Sequence, residues 1–143
     1  MTGVTTTRRP GPGEALPARS VPITRADLRR YAEASGDHNP IHLSEDAARE
    51  LGLPGVVAHG MLTSALAIGV VADWAGGADR VVATSIRFAG PVVVPAEAPA
   101  VLEVGGTVRR VAEDGSTADV VLTATHDGAK VFGKAVVTVA LDG

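Results

Sequence analysis

The feature that most limits how this chain can fold is the apolar run over residues 60–75. Met61, Leu62, Ala65, Leu66, Ala67, Ile68, Val70, Val71 and Ala72 leave a helix here with almost no polar face. His59-Gly60 opens the run and Gly76-Gly77 closes it. A helix that is apolar all round is expected to be buried. With Asp73 and its glycines, the run is too short and too polar to be read as a bilayer span. It therefore needs a protein layer around it. After residue 80 the pattern changes to Val/Thr-rich segments, near 80–89, 101–111, 117–125 and 131–141. Turn signals separate them at residues 95–99, at Glu113-Asp114-Gly115 and at Asp127-Gly128. Leu102, Val104, Gly106 and Val108 alternate with Glu103, Gly105, Thr107 and Arg109, so one face is packed and the other wet. Helices followed by antiparallel strands predict an α+β fold, with the sheet curled around the apolar helix. Small residues at Ala65, Gly69 and Ala72 are expected to let that helix lie close to the sheet.

The first part of the chain supplies shorter elements. Residues 1–14 are rich in Thr, Gly, Pro and Arg and read as a flexible tail, leaving 15–143 as a single domain. Pro17 and Pro22 allow residues 15–23 to be extended but make them a poor central strand. Thr24 with Asp27 three positions on is a capping signal for a helix over residues 26–34, and Gly36 is suited to end it. Ser44 caps a second short helix over residues 45–51, whose acidic first turn suits the helix dipole.

Between these two helices lies the chemistry. Asp37, His38, Asn39 and His42 fall within six positions, on backbone bent by Gly36 and Pro40. A carboxylate and an imidazole on a stiff loop form an acid/base pair suited to proton transfer near neutral pH. The same residues also spell ordinary turn chemistry, since Asp and Asn close Asx-turns and Pro fixes φ. What favours function is the second His-Gly pair, His59-Gly60, at the mouth of the apolar helix. A backbone N–H at Gly60 lies at the positive end of the helix dipole and suits a developing oxyanion. The competing reading for Gly60 is a tight helix entry that admits no Cβ.

Tyr31, Ser35-Gly36-Asp37, Asn39-Pro40-Ile41-His42 and Ala48 resemble the hydratase-2 motif of the MaoC-like dehydratases, the (R)-specific enoyl-thioester hydratases of the hot-dog fold. Residues 58–62, Ala-His-Gly-Met-Leu, resemble that family's second signature, and Ser85-Ile86-Arg87-Phe88 with Pro91-Val92 its third. The resemblance spans about residues 15 to 141, and the layout is that of the small single-domain members. It implies a hot-dog domain that reversibly dehydrates (3R)-hydroxyacyl thioesters of coenzyme A or acyl-carrier protein to trans-2-enoyl thioesters. The implied catalytic set is Asp37, His42 and Gly60, with Asn39 and His59 as substrate-binding residues and no metal or redox cofactor. The acyl tail is expected between the apolar helix and the sheet. The chain departs from the family at Ile68, where relatives often carry a hydroxyl, and at Pro95-Ala96-Glu97, in place of the usual Pro-Gly-Asp turn.

Composition narrows the partners. A net charge of −3 and scarce aromatics argue against nucleic acid. Without cysteine there is no disulfide or thiolate chemistry. No apolar segment suggests a signal peptide or a membrane partner, so the expected location is the cytoplasm. A small open sheet has edges to cover, and the resemblance implies a dimer, either with an identical chain or with a related hot-dog subunit. Two other functions fit the same fold: a hot-dog acyl thioesterase, and a non-catalytic acyl-binding subunit of a heterodimeric dehydratase. A metal site built from Asp37, His38, His42 and His59 matches no standard zinc spacing.

Overall fold

The computed structural model describes residues 10–141. The elements run β1 (Arg19–Ile23), α1 (Arg25–Ser35), α2 (Glu45–Glu50), α3 (Gly60–Ala75), β2 (Val81–Phe88), β3 (Ala100–Val111), β4 (Thr117–His126), β5 (Ala129–Lys130) and β6 (Phe132–Ala140). All the pairings are antiparallel, in the order β1-β3-β4-β6-β2, with β5 beside β4. Helix α3 touches β2, β3, β4 and β6, so the sheet curves around it as the α+β hot-dog expectation requires.

Local chemistry explains the element ends. At the start of α1 the Thr24 hydroxyl accepts from the Asp27 N–H (3.2 Å) and the Asp27 carboxylate accepts from the Thr24 N–H (2.9 Å), a complete capping box. Gly36 ends the helix at φ 78°, a left-handed conformation that a Cβ would penalise. Asp127 and Gly128 both take positive φ and link β4 to β5 by a two-residue turn. Segment 15–23 contributes β1, which lies at one edge of the sheet, as its prolines require.

Part of the expected tail is held in place. Gly13 N–H donates to Val108 O (2.7 Å), Val108 N–H donates to Glu14 O (2.8 Å), and Ala15 bridges Thr107. Residues 1–9 lie outside the described residues. Strand β3 alternates as expected, with Leu102, Val104, Gly106 and Val108 inward.

Helix α3 corrects one expectation, because it is not buried all round. Ala67, Val70 and Val71 enter the core, but Met61 is 65% exposed, Ala65 is exposed, and Leu62, Leu66 and Ile68 are half-buried. Of the three small residues only Ala72 is buried, and a Cβ added at Gly69 would meet nothing within 4 Å, so close approach to the sheet is not made at Ala65 or Gly69. Hydropathy requires that an apolar face be covered, and the folded chain covers only the side toward the sheet. A further open apolar surface lies on β2, an edge strand with Val82 61% exposed and Phe88 half-exposed.

Candidate active site

Residues 36–42 leave α1 and fold back through two Asx-type turns. The Asp37 carboxylate accepts from the Asn39 N–H (3.1 Å), and the Asn39 side-chain oxygen accepts from the Ile41 N–H (3.3 Å). Pro40–His42 then forms a single 3-10 turn that turns His42 inward. The turn reading of this loop is satisfied, and the turns are what aim its side chains. Asn39 has its carboxamide oxygen committed to the turn. His38 is exposed and belongs to no cluster with Asp37, His42 and His59.

The polar atoms of Asp37, His42 and His59 lie within 4.8 Å of one another. His42 Nδ1 is 2.7 Å from Val57 O; a carbonyl only accepts, so Nδ1 carries the proton. That leaves Nε2 of the neutral ring with a free lone pair, 4.0 Å from Asp37 Oδ2. The Asp37 carboxylate is half exposed while the His42 ring is nearly covered. One open carboxylate beside one buried imidazole with a fixed tautomer can accept a proton, hold it and return it.

His59 lies beneath this pair and is 1% exposed. Its ring stacks on His42 with centroids 3.9 Å apart and planes 24° apart, and Tyr31 packs against it edge-on at 4.8 Å. Its Nε2 donates to the backbone oxygen of Asp37 (3.1 Å). Burial pushes its pKa below the ordinary histidine value, the carbonyl of Asp37 opposing that shift. The expected substrate contact at His59 is not available to a ring so enclosed; it bears on the reaction only through its neighbours. Two stacked rings also send their in-plane lone pairs alongside each other instead of toward one point, which does not suit a shared metal ion.

Gly60 starts α3, where its own N–H has no acceptor within the helix and His59 supplies no side-chain cap. A Cβ on Gly60 would come within 3.2 Å of the Phe88 ring, so the tight-entry explanation for glycine holds. Thr63 and Ser64, the hydroxyls nearest Ile68 in sequence, are engaged with their own helix. Their hydroxyls donate back to Gly60 O (2.7 Å) and Met61 O (2.9 Å).

The supporting contacts were not visible in the sequence. Glu45, readable only as a favourable first-turn charge, accepts from the Val56 N–H (2.9 Å) and pairs with Arg25, whose Nε donates to Val94 O (2.6 Å). These bonds hold the Glu45 carboxyl below its usual pKa, the Val56 N–H being the largest cause. Val94 N–H donates to Val56 O and Ala58 N–H to Val92 O. The loop carrying Val57 O, the acceptor for His42, is therefore tied to α2, α1 and the 92–94 segment together.

The expected channel between α3 and the sheet is filled by Ala67, Val70 and Val71. A cleft of about 390 Å³ lies between α1 and α3 instead, lined by Pro22, Tyr31, Ala34, Leu62 and Leu66 with the Asp27–Arg30 ion pair.

The chain is similar to several known proteins. It is 48% identical over 82 residues to 3-hydroxyacyl-thioester dehydratase X of Mycobacterium tuberculosis, a match covering 57% of this chain and 28% of that protein. It is 35% identical over 68 residues to a mitochondrial 3-hydroxyacyl-[acyl-carrier-protein] dehydratase of Arabidopsis thaliana, covering 48% of this chain and 40% of that one. The matches thus span well under two thirds of these relatives. Among solved structures, a MaoC-like dehydratase superposes with a TM-score of 0.89 at 38% identity, over 92% of this chain and 41% of that chain. The (R)-hydratase of A. caviae gives 0.83 at 22% identity over 95% and 100%, which speaks to the hot-dog fold alone. A family model described as MaoC like domain matches residues 9–126. Most of the chain falls within that match, and the protein is a member of the MaoC-like domain family.

Proposed function

We propose that the protein is a hydro-lyase that reversibly dehydrates (3R)-hydroxyacyl thioesters to trans-2-enoyl thioesters in fatty-acid-type metabolism, in the cytoplasm. The observation that carries this reading is the free His42 Nε2 lone pair 4.0 Å from the Asp37 carboxylate, at the start of α3. His42 Nε2 takes the proton from C2 of the substrate. The electron pair moves into the C2–C3 bond, and the 3-hydroxyl leaves as water with the proton that His42 returns. Asp37 accepts a hydrogen bond from that hydroxyl and balances the imidazolium. The Gly60 N–H holds the thioester oxygen while it carries enolate charge. The thioester itself acidifies C2, so the route requires no metal or redox group. The relatives named as dehydratases support the reaction class, and the acyl tail has the α1–α3 cleft, where Tyr31 both lines the opening and touches His59.

A partner chain completes the picture. The exposed β2 edge and the uncovered Met61 side of α3 are apolar and suited to a second hot-dog subunit. Solved neighbours include the ChsH1-ChsH2 and HadBC complexes of Mycobacterium tuberculosis, which share this fold. The partner is an identical or a related chain, and the acyl carrier is coenzyme A or acyl-carrier protein.

The test is loss of enoyl absorbance when the purified protein meets trans-2-enoyl-CoA substrates of increasing length, with thiol release followed in parallel. Hydration without free thiol is the expected result. Free thiol without hydration would identify a thioesterase, and neither activity would leave a binding subunit.

A further inference from the structure

The ring of His59 is buried among polar and aromatic groups, and the proton steps above make no use of it. Tyr31 and His42 pack on the ring, Asp37 receives its Nε2–H, and His38 lies near enough to oppose its protonation. Because Nε2 donates, Nδ1 of the neutral ring bears only a lone pair, and that atom is buried with no hydrogen-bond partner among the described residues. An orphaned buried acceptor destabilises a fold. Phe would fill a similar flat space without the orphaned nitrogen but also without the N–H that meets the Asp37 carbonyl, so that bond is what histidine adds at this position.

We propose that His59 is a positioning residue that fixes both members of the proton-transfer pair, its Nε2–H holding the Asp37 backbone carbonyl and its face setting the plane of the His42 ring. The two contacts come from separate atoms of one ring, so they fix the Asp37 loop and the His42 ring relative to each other and not merely each in place. His42 has one further anchor, Val57 O, which fixes rotation about one axis. The stack supplies the second constraint and points Nε2 at Asp37 Oδ2. Burial keeps His59 uncharged, so an imidazolium forming on His42 meets a neutral π face and not a second cation. This inference rests on the dehydratase reading for its kinetic consequence but not for its geometry.

The experiment uses two substitutions on the full chain. His59→Phe keeps a flat ring and removes the donor; His59→Gln keeps an N–H donor and removes the ring. Each should lower kcat for enoyl-CoA hydration by about tenfold to a hundredfold, as small misplacements of reacting groups do, with KM within about twofold. The melting temperature of His59→Phe should stay near that of the natural protein, because the orphaned Nδ1 and the Nε2–H bond to the Asp37 carbonyl are lost together. Natural turnover in both variants, or a loss of activity that only tracks a fall in melting temperature, would overturn the proposal. Nitrogen-15 spectra of the natural protein give a second, activity-free reading. They should show His59 protonated on Nε2 and His42 on Nδ1; the opposite tautomer on His59 would overturn the clamp even if the protein hydrates enoyl thioesters. If the natural protein hydrates none, the dehydratase reading falls while the tautomers still decide this one.

Discussion

His42 Nε2 and Asp37 Oδ2 are 4.0 Å apart, too far for a direct hydrogen bond and close enough for one oxygen to sit at about 2.8 Å from both. In the proposed reaction that oxygen is the substrate hydroxyl in dehydration and the attacking water in hydration. Asp37→Asn and His42→Gln should each therefore reduce kcat by at least about a hundredfold, the low end for positioned acid/base groups. Asp37 is half exposed, so Asp37→Asn should unfold at nearly the natural temperature. Stopped-time hydration of crotonyl-CoA, read beside circular dichroism, checks this; a folded Asp37→Asn protein with natural turnover would end the proposed mechanism.

Stability should depend on pH through His59. Its folded pKa lies below the ordinary value of 6.5, so the unfolded chain binds the proton more readily between the two values. The contribution is complete above the unfolded value and is lost as pH falls toward the folded one. Urea midpoints should fall from pH 7 to pH 5, and the fall should be smaller in His59→Phe. Equal falls in both proteins would assign the effect to other groups.

The capping box on α1 makes a separate prediction. Thr24→Ala removes the acceptor for the Asp27 N–H and should cost about 1 kcal/mol in chemical denaturation. The Asp27 carboxyl is held below its usual pKa, chiefly by the Thr24 N–H, so its contribution persists above the unfolded carboxyl value and is lost as pH falls through the folded one. Asp27→Asn should accordingly lower stability at pH 7 and flatten the acid limb.

Leu66 is half-buried and lines the α1–α3 cleft. Leu66→Trp should spare crotonyl-CoA and reduce kcat/KM for long enoyl chains several-fold, because the larger ring takes up cleft volume. An unchanged length profile would move the acyl tail elsewhere.

Val82 on the β2 edge is 61% exposed. Val82→Lys places a charge on the open strand, the device by which natural edges refuse partners. Sedimentation should show the natural protein as a dimer, alone or with a related subunit, and the variant shifted toward monomer. A natural monomer whose mass the substitution leaves unchanged would remove the edge from consideration.

The sequence carried local geometry well. Thr24, Asp27, Gly36 and Asp127-Gly128 each act through neighbours within a few positions, so their turns and caps were legible. The Asp37–His42 pair was legible because five positions of bent backbone bring it together. The stack of His59 on His42 was not, since it depends on how α3 approaches the loop. Glu45 shows the same limit: its acidity was readable, while its reach to Val56 and Arg25 is tertiary. The uncovered side of α3 marks the reverse case, where hydropathy states that a face needs cover and leaves open which molecule provides it.

The tether from Glu45 has a practical outcome for anyone mapping this protein by substitution. Its carboxylate fixes Val56, the next residue carries the carbonyl that sets the His42 tautomer, and a Cβ at Gly55 would fall 2.5 Å from the same Glu45 oxygen. Changes at Glu45 or Gly55 would silence turnover without approaching a reactant. A mutational scan scored on product alone would mistake both for members of the reacting set, and only a parallel record of ring tautomers would tell scaffold from chemistry.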